Sequence, residues 1–331
     1  LQKGGADNLL HFGRKHSPSM DIEMMFEGDR FANGYHVILA GTDDDGLVVQ
    51  SETVKFWDKD RYPTPYDETL SRNAREAAIA RTSNDVGRHV RGDLLSYRVY
   101  HFHDTSDTAA VKGTTDLEDN LYLRPQAENL SAFLYLLSQR DSDRFRLIED
   151  TVRQIAPFFE AFQLNPSRLH PDKIRLEWKE KGSDAYFNAT ALSDGTLRFI
   201  CLATLLLQPK LPAVILLDEP ELGLHPAAIQ LLADLLSSAA TRTQVVVATQ
   251  SVTLVNHFAP DDVWVVDREE GHSVRRGETH RRQSNQRRRF MSANPDHSVR
   301  DSRLPSGRAL LLGLIFVVLT GLAVQQIALV Y

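Results

Sequence analysis

Two adjacent carboxylates at the end of an apolar run are the residues of this chain best placed for chemistry. In residues 213–226, AVILLDEPELGLHP, four apolar residues lead directly into Asp218 and Glu219. A short, wholly apolar run with a β-branched start reads as a strand buried on both faces of a parallel sheet. Acids at its carboxyl end stand where open α/β sheets receive their ligands. Two carboxylates are costly to bury uncompensated, so they call for a cation or water at the strand tip. Asp218 is then the candidate ligand of a divalent ion, and Glu219 the candidate group to polarise a water.

Two further segments flank this pair. Upstream, ALSDGTLR (191–198) precedes an apolar helical run over 199–207. Ser193 reads as a helix N-cap, and Gly195 lets the backbone approach an anion. With Asp194 they form a helix N-terminus that offers free N–H groups and a partial positive charge. Downstream, QVVVATQS (244–251) reads as a second buried strand ending in polar residues. Taken singly, these are a cap, a strand and a strand with its turn. In this order, LSDGT, VILLDEPELGLHP and VVVATQS resemble the signature loop, Walker B strand and switch strand of ABC-type ATPases of the RecF/SMC branch. The chain is most similar to the stand-alone RecF-like bacterial proteins called AAA-family ATPases. The resemblance is specific over residues 191–267, looser over the first 190, and absent after 271.

That resemblance implies an α/β fold: a P-loop NTPase head of the ABC type, with a mainly parallel sheet, an antiparallel β lobe and a helical lobe. It implies ATP and Mg²⁺ as cofactors, with Asp218 on the metal and Glu219 orienting the attacking water. It also implies a head-to-head homodimer sandwiching two ATPs. Ser193, Asp194 and Gly195 of one head would face the γ-phosphate bound by the other, and His225 would lie in the dimer-contact loop. Family members often carry a histidine at the switch position. Gln250 stands here; an amide can sense the γ-phosphate but carries no charge, which implies slow hydrolysis or use as a switch. DNA is the expected macromolecular partner, in repair or phage defence. One element of the pattern is missing: GxxxxGK[ST] does not occur, and there is no Gly-Lys dipeptide anywhere. The expectation is that a P-loop strand and helix precede Leu1 in a longer chain, and that residues 1–331 bind ATP weakly. A non-catalytic ATPase remnant, attached to a membrane, is the alternative.

The charge is uneven. The chain totals −6, but residues 272–308 hold ten Arg against Glu278, Asp296 and Asp301, a local +7 that leaves −13 for the rest. All nine lysines lie before residue 211. The Arg-rich stretch reads as a disordered linker, and three origins stay open: a basic arm for nucleic acid or anionic lipid, a cytoplasmic flank of a membrane helix, or out-of-frame translation. Residues 309–331 carry no charge. A spanning helix needs about 20 mostly apolar residues, so 309–331 is expected to be an isolated apolar helix able to insert, with the ATPase part held in the cytoplasm. The single Cys201 excludes a disulfide framework and a cysteine metal site, and suits a reducing compartment.

The expected organisation is an N-terminal part of the head over 1–190, the ATPase core over 191–271, the linker over 272–308 and the apolar helix over 309–331. Within the first part, strands are expected over 20–27, 35–40 and 47–56, separated by turns, forming an antiparallel meander. Residues 61–90 read as a polar, partly helical excursion, 95–102 as a strand, and 129–137 and 145–162 as helices. Residues 174–178 and 186–188 form a hairpin-like pair. Asp43–Asp45 reads as a solvated turn, without EF-hand spacing. His101 and His103 of YHFHD are taken as ordinary strand and loop residues.

Overall fold

The computed structural model describes residues 5–28, 30–269, 272–277 and 326–330. They fall into two compact units, divided between Ser96 and Tyr97.

The first unit opens with a single helical turn, α1 (Ala6–Leu9). Four strands follow as a meander: β1 (Ser19–Glu27), β2 (Phe31–Gly41), β3 (Leu47–Asp58) and β4 (Tyr66–Ala74), all antiparallel. The helix α2 (Asp85–Leu95) starts on Asn84, whose side chain accepts the Gly87 N–H at 2.7 Å. Tyr35, Val37, Val49, Val54, Ile79 and Val90 form the core of this unit. Inside it lies the fully buried carboxylate of Glu52, which accepts from the Tyr35 hydroxyl (2.9 Å), Ser71 Oγ (2.7 Å) and the Ala78 and Ile79 N–H groups (2.6 and 2.9 Å). Four donors on one carboxylate meet the requirement for burying a charge. The strand β4 is where an excursion was expected. Leu70 is its one large aliphatic residue, so the strand shows no alternation; it is an edge, polar along most of its length.

The second unit begins with β5 (Tyr97–Tyr100), β6 (Thr114–Asp116), α3 (Leu130–Arg140) and α4 (Ser142–Ile155). Asp141 caps α4 by accepting the Arg144 N–H at 3.1 Å, and Ile148 and Val152 carry its buried face. This helix was expected to run to residue 162. It ends at Ile155 because Pro157 follows, and a proline bars helical geometry at the residue before it. The chain continues as β7 (Phe159–Gln163), β8 (Lys173–Arg175), β9 (Glu177–Glu180) and β10 (Tyr186–Asn188). β9 and β10 pair antiparallel, as the hairpin-like reading had it, though the first arm is split into β8 and β9.

The remaining elements build the core: α5 (Asp194–Leu207), β11 (Val214–Asp218), α6 (Pro226–Ala240), β12 (Gln244–Thr249), α7 (Val252–Val255), β13 (Val263–Glu269), β14 (His272–Gly277) and β15 (Gln326–Val330). α5 is apolar on all sides and buried from Thr196 to Leu207, packed against α4 and α6. The main sheet has the order β14-β13-β15-β12-β11-β5. β5, β11 and β12 are mutually parallel, as a buried apolar strand requires. β15 runs antiparallel to both β12 and β13 and lies between them.

Two expectations about the tail are corrected here. The sheet extends beyond residue 271, because His272–Gly277 pairs with β13. Gln326–Val330 is a strand and not the end of an apolar helix. A run of four apolar residues after Gln326 satisfies a central strand slot as well as a helix, and composition cannot separate the two. The Arg-rich residues 278–308 and the apolar run 309–325 lie outside the described residues. Among the described residues, no helix is long and apolar enough to cross a membrane.

Candidate active site

The carboxyl ends of β5, β11 and β12 converge on one place. Leu217 of β11 is paired with Tyr100 of β5, and Asp218 with Ala248 of β12. A small pocket there is lined by Tyr100, Phe102, His103, Arg198, Asp218 and Glu219, among others. Asp218 ends its strand with a half-exposed carboxylate, 4.0 Å from His103 Nε2. Glu219 leaves the strand at φ +40°, in the left-handed region that non-glycine residues seldom occupy. Its N–H donates to the Ala248 carbonyl at 2.8 Å, which fixes that turn to β12. The Glu219 carboxylate splits its roles. Oε2 accepts the Gln250 N–H at 3.4 Å, whereas Oε1 is buried without a hydrogen-bond partner. A strained backbone holding an unsatisfied carboxylate oxygen is a common mark of a working site.

Glu221 is a second buried carboxylate, 6% exposed. Its Oε1 accepts from the Thr249 hydroxyl, and its Oε2 has no partner. Burial, and then the negative charge of Glu219, push its carboxyl up to about 7; the Thr249 hydroxyl opposes this only in part. A raised carboxyl stabilises the fold fully below the unfolded value, and that stabilisation is lost as pH rises through about 7. By that linkage stability falls as pH rises from the ordinary glutamate range through about 7. Urea midpoints of Glu221→Gln are expected to be flat over this range while those of the parent fall; a parental decline in the variant would assign the effect elsewhere.

The residues expected to form a signature loop lie against the loop that follows β11. Ser193 caps α5, its Oγ accepting the Thr196 N–H at 3.2 Å. Asp194, in the first turn, lies 3.9 Å from Lys112 Nζ, on a side chain only 5% exposed. Gly195 packs against the loop after β11: a Cβ there would stand 2.6 Å from the Gly223 carbonyl oxygen, so only glycine fits. The buried Arg198 ties the loops together. Its Nε donates to Phe102 O at 2.8 Å, its Nη2 to His103 O at 3.1 Å, and its Nη1 to Leu222 O. His225 caps α6, its Nδ1 accepting the Ala227 N–H at 3.3 Å, with Pro226 next at a position where proline's missing N–H is harmless.

Asp218, Glu219 and Gln250 are thus brought together, and Gly195 is brought against the loop that follows them. Glu221, Thr249, Arg198 and Lys112 went unnoticed in the sequence. Nothing in DEPE marks its last glutamate as buried, and a lone Arg or Lys gives no sign that its head is enclosed. The oxygen set of Asp218 and Glu219 suits a hard cation such as Mg²⁺. The phosphate-gripping backbone and lysine are not among these residues, in keeping with the lack of any Gly-Lys dipeptide.

Residues 31–256 match the family described as "AAA domain, putative AbiEii toxin, Type IV TA system". The chain belongs to this AAA-domain family. Its mixed α/β fold is accordingly that of an AAA-type ATPase domain, an ATP-binding class. No curated protein matches the chain. Among solved structures it is similar to an SMC head bound to the C-terminal winged-helix domain of ScpA: 15% identity, 77% of this chain and 76% of that one, TM-score 0.44. A structure on ATP-driven dimerisation and DNA-stimulated activation of SMC ATPases aligns at 18% identity over 47% of this chain and 97% of that one, TM-score 0.34. The SMC head domain from Thermotoga maritima aligns at 11% identity over 74% of each chain, TM-score 0.34. In the AAA-domain family member described here, Cys201 has no part in the site. It is buried in α5, where burial pushes its thiol up to about 12.

Proposed function

We propose that this chain is the ATP-hydrolysing head of a RecF/SMC-like ATPase, working as a head-to-head homodimer with Mg²⁺. The observation that carries this reading is Glu219: a carboxylate at the tip of β11 with one oxygen buried and unpartnered, beside Asp218 and against the Gln250 amide. Phosphoryl transfer needs positioned charge more than covalent help. Asp218 would hold Mg²⁺, which neutralises charge on the phosphates when bound. Glu219 orients and deprotonates the attacking water, with Oε1 as the free acceptor. Gln250, whose N–H already meets Glu219, reports occupancy of the neighbouring phosphate position. The capped N-terminus of α5, with Ser193 and Gly195, offers its dipole to the γ-phosphate held by the partner head.

Membership of a family of putative type IV toxin–antitoxin toxins favours phage defence over general repair. The buried, unpaired thiol suits the cytoplasm. A second reading, a head that no longer hydrolyses ATP, is favoured by one observation: these 331 residues contain no Gly-Lys dipeptide. Ser193→Arg tests the dimer. In a form of the protein carrying GxxxxGK[ST] ahead of Leu1, and in a Glu219→Gln background, the substitution removes the cap and fills the γ-phosphate seat. ATP-dependent dimerisation, followed by light scattering, is expected to disappear; an undisturbed dimer would remove the signature loop from the partner's site.

A further inference from the structure

The residues YHFHD, read in the sequence as ordinary, are placed beside the candidate active site by the sheet register. Leu217 pairs with Tyr100, so the residues that follow the two parallel strands, Asp218 on one and His101 to His103 on the other, emerge side by side. His101 and His103 are two residues apart on a chain leaving a strand. At that spacing side chains share a face, so the reading of the two histidines as ordinary strand and loop residues is corrected. Their ring centroids are 6.2 Å apart. One ligand atom from each of His101, His103 and Asp218 can be chosen so that all three lie within 4.8 Å of one another. His103 Nε2 and Asp218 Oδ2 are 4.0 Å apart, and His103 Nε2 is buried with no hydrogen-bond partner. At that distance the pair is not hydrogen-bonded. A buried, unsatisfied imidazole nitrogen costs about 1–3 kcal/mol.

We infer that His101, His103 and Asp218 form a site for a divalent transition metal. Nitrogen and carboxylate ligands sit about 2.0–2.2 Å from such ions, so neighbouring ligands on a tetrahedral ion stand about 3.4 Å apart. The His103–Asp218 pair, at 4.0 Å, has to draw in by about 0.6 Å to meet this, and a His101 ring nitrogen lies within 4.8 Å of both. Two imidazoles and one carboxylate leave coordination positions open for water or a phosphate oxygen. This donor set also selects the ion. Mg²⁺ holds to oxygen ligands and its own waters, whereas imidazole favours metals towards the end of the Mn²⁺–Zn²⁺ series. The inference goes beyond the hydrolysis reading and shares only Asp218 with it.

The test uses Co²⁺ with the full 331-residue chain and no nucleotide, read by equilibrium dialysis and by visible absorption. Other histidines will take up some metal, so the readout is a difference. The parent is expected to bind one equivalent more than His101→Gln/His103→Gln, with absorption bands of nitrogen-coordinated Co²⁺ that the double variant lacks. Asp218→Asn is expected to lose the same equivalent, or to bind it at least ten-fold more weakly. Glu219→Gln is expected to keep it, and millimolar Mg²⁺ to leave it in place. Unchanged urea midpoints show that the variants fold. Equal stoichiometry and equal spectra for parent and double variant overturn the site, as does displacement by equimolar Mg²⁺. Loss of the equivalent in the double variant, in a protein that never hydrolyses ATP, upholds the site and defeats the hydrolysis reading alone. Hydrolysis without any lost equivalent does the reverse.

Discussion

Glu219→Gln is expected to lower ATP turnover by about 10²–10⁴-fold, the range for loss of a general base, while leaving ATP binding intact. The prediction applies to a form of the protein in which GxxxxGK[ST] is present, since the phosphates need that grip. Glutamine keeps the size of the side chain and the acceptor that meets the Gln250 N–H at 3.4 Å. What it loses is the charge and basicity of Oε1, the buried oxygen with no partner. Binding and chemistry therefore separate: nucleotide affinity holds, phosphate release slows, and the ATP-bound dimer accumulates. A second effect follows from Glu221. Its carboxyl is raised partly by the charge of Glu219, so in the variant it returns towards the ordinary glutamate range. Phosphate release at the parental rate would remove Glu219 from catalysis and leave it as a strained turn residue.

What could be read in the sequence was what is buried on every side. Residues 214–217 of β11 and, Thr204 apart, residues 199–207 of α5 are apolar runs because each is enclosed on all faces, and such runs stand out without any pattern analysis. The capping of α5 by Ser193 was equally plain, because a serine ahead of an apolar helix has few other uses. The carboxylate pair at the strand tip followed from the strand itself. The edge strand β4 was hidden, since a strand with Asp67, Glu68, Ser71, Arg72 and Asn73 meets solvent along much of its length. The end of α4 was legible in Pro157, but the apolar spacing of PFFEAF continued the helical pattern past it. The histidines and Glu221 were hidden for a different reason. Their roles arise from parallel register and from enclosure between strands distant in sequence, and neither leaves a local trace. β15 joins a slot between β12 and β13 that only the assembled sheet defines.

Arg198 gives the largest expected effect on stability. It lies on α5, 6% exposed, and its guanidinium donates to three main-chain carbonyls: Phe102 and His103 after β5, and Leu222 in the loop after β11. Those contacts join α5 to both segments that border the candidate site. Desolvation presses its pKa down, but guanidinium stays charged at any ordinary pH. The loop has shaped itself to this head: a Cβ on Gly223, at φ +76°, would stand 2.9 Å from Arg198 Nη1. Arg198→Met keeps much of the volume and strands three carbonyls at once. Each buried group left unsatisfied costs about 1–3 kcal/mol, so a loss of about 3 kcal/mol or more is expected in urea unfolding. Arg198→Lys is expected to recover little, because one ammonium on a flexible stem cannot present a planar fork to three acceptors. The damage is expected to reach the site as well. His103 is held by its carbonyl, so Arg198→Met, measured where it is still folded, should weaken Co²⁺ binding without touching a ligand. A loss below about 1 kcal/mol, the worth of one ordinary hydrogen bond, would mean that water replaces the guanidinium among these carbonyls and that the loops hold themselves.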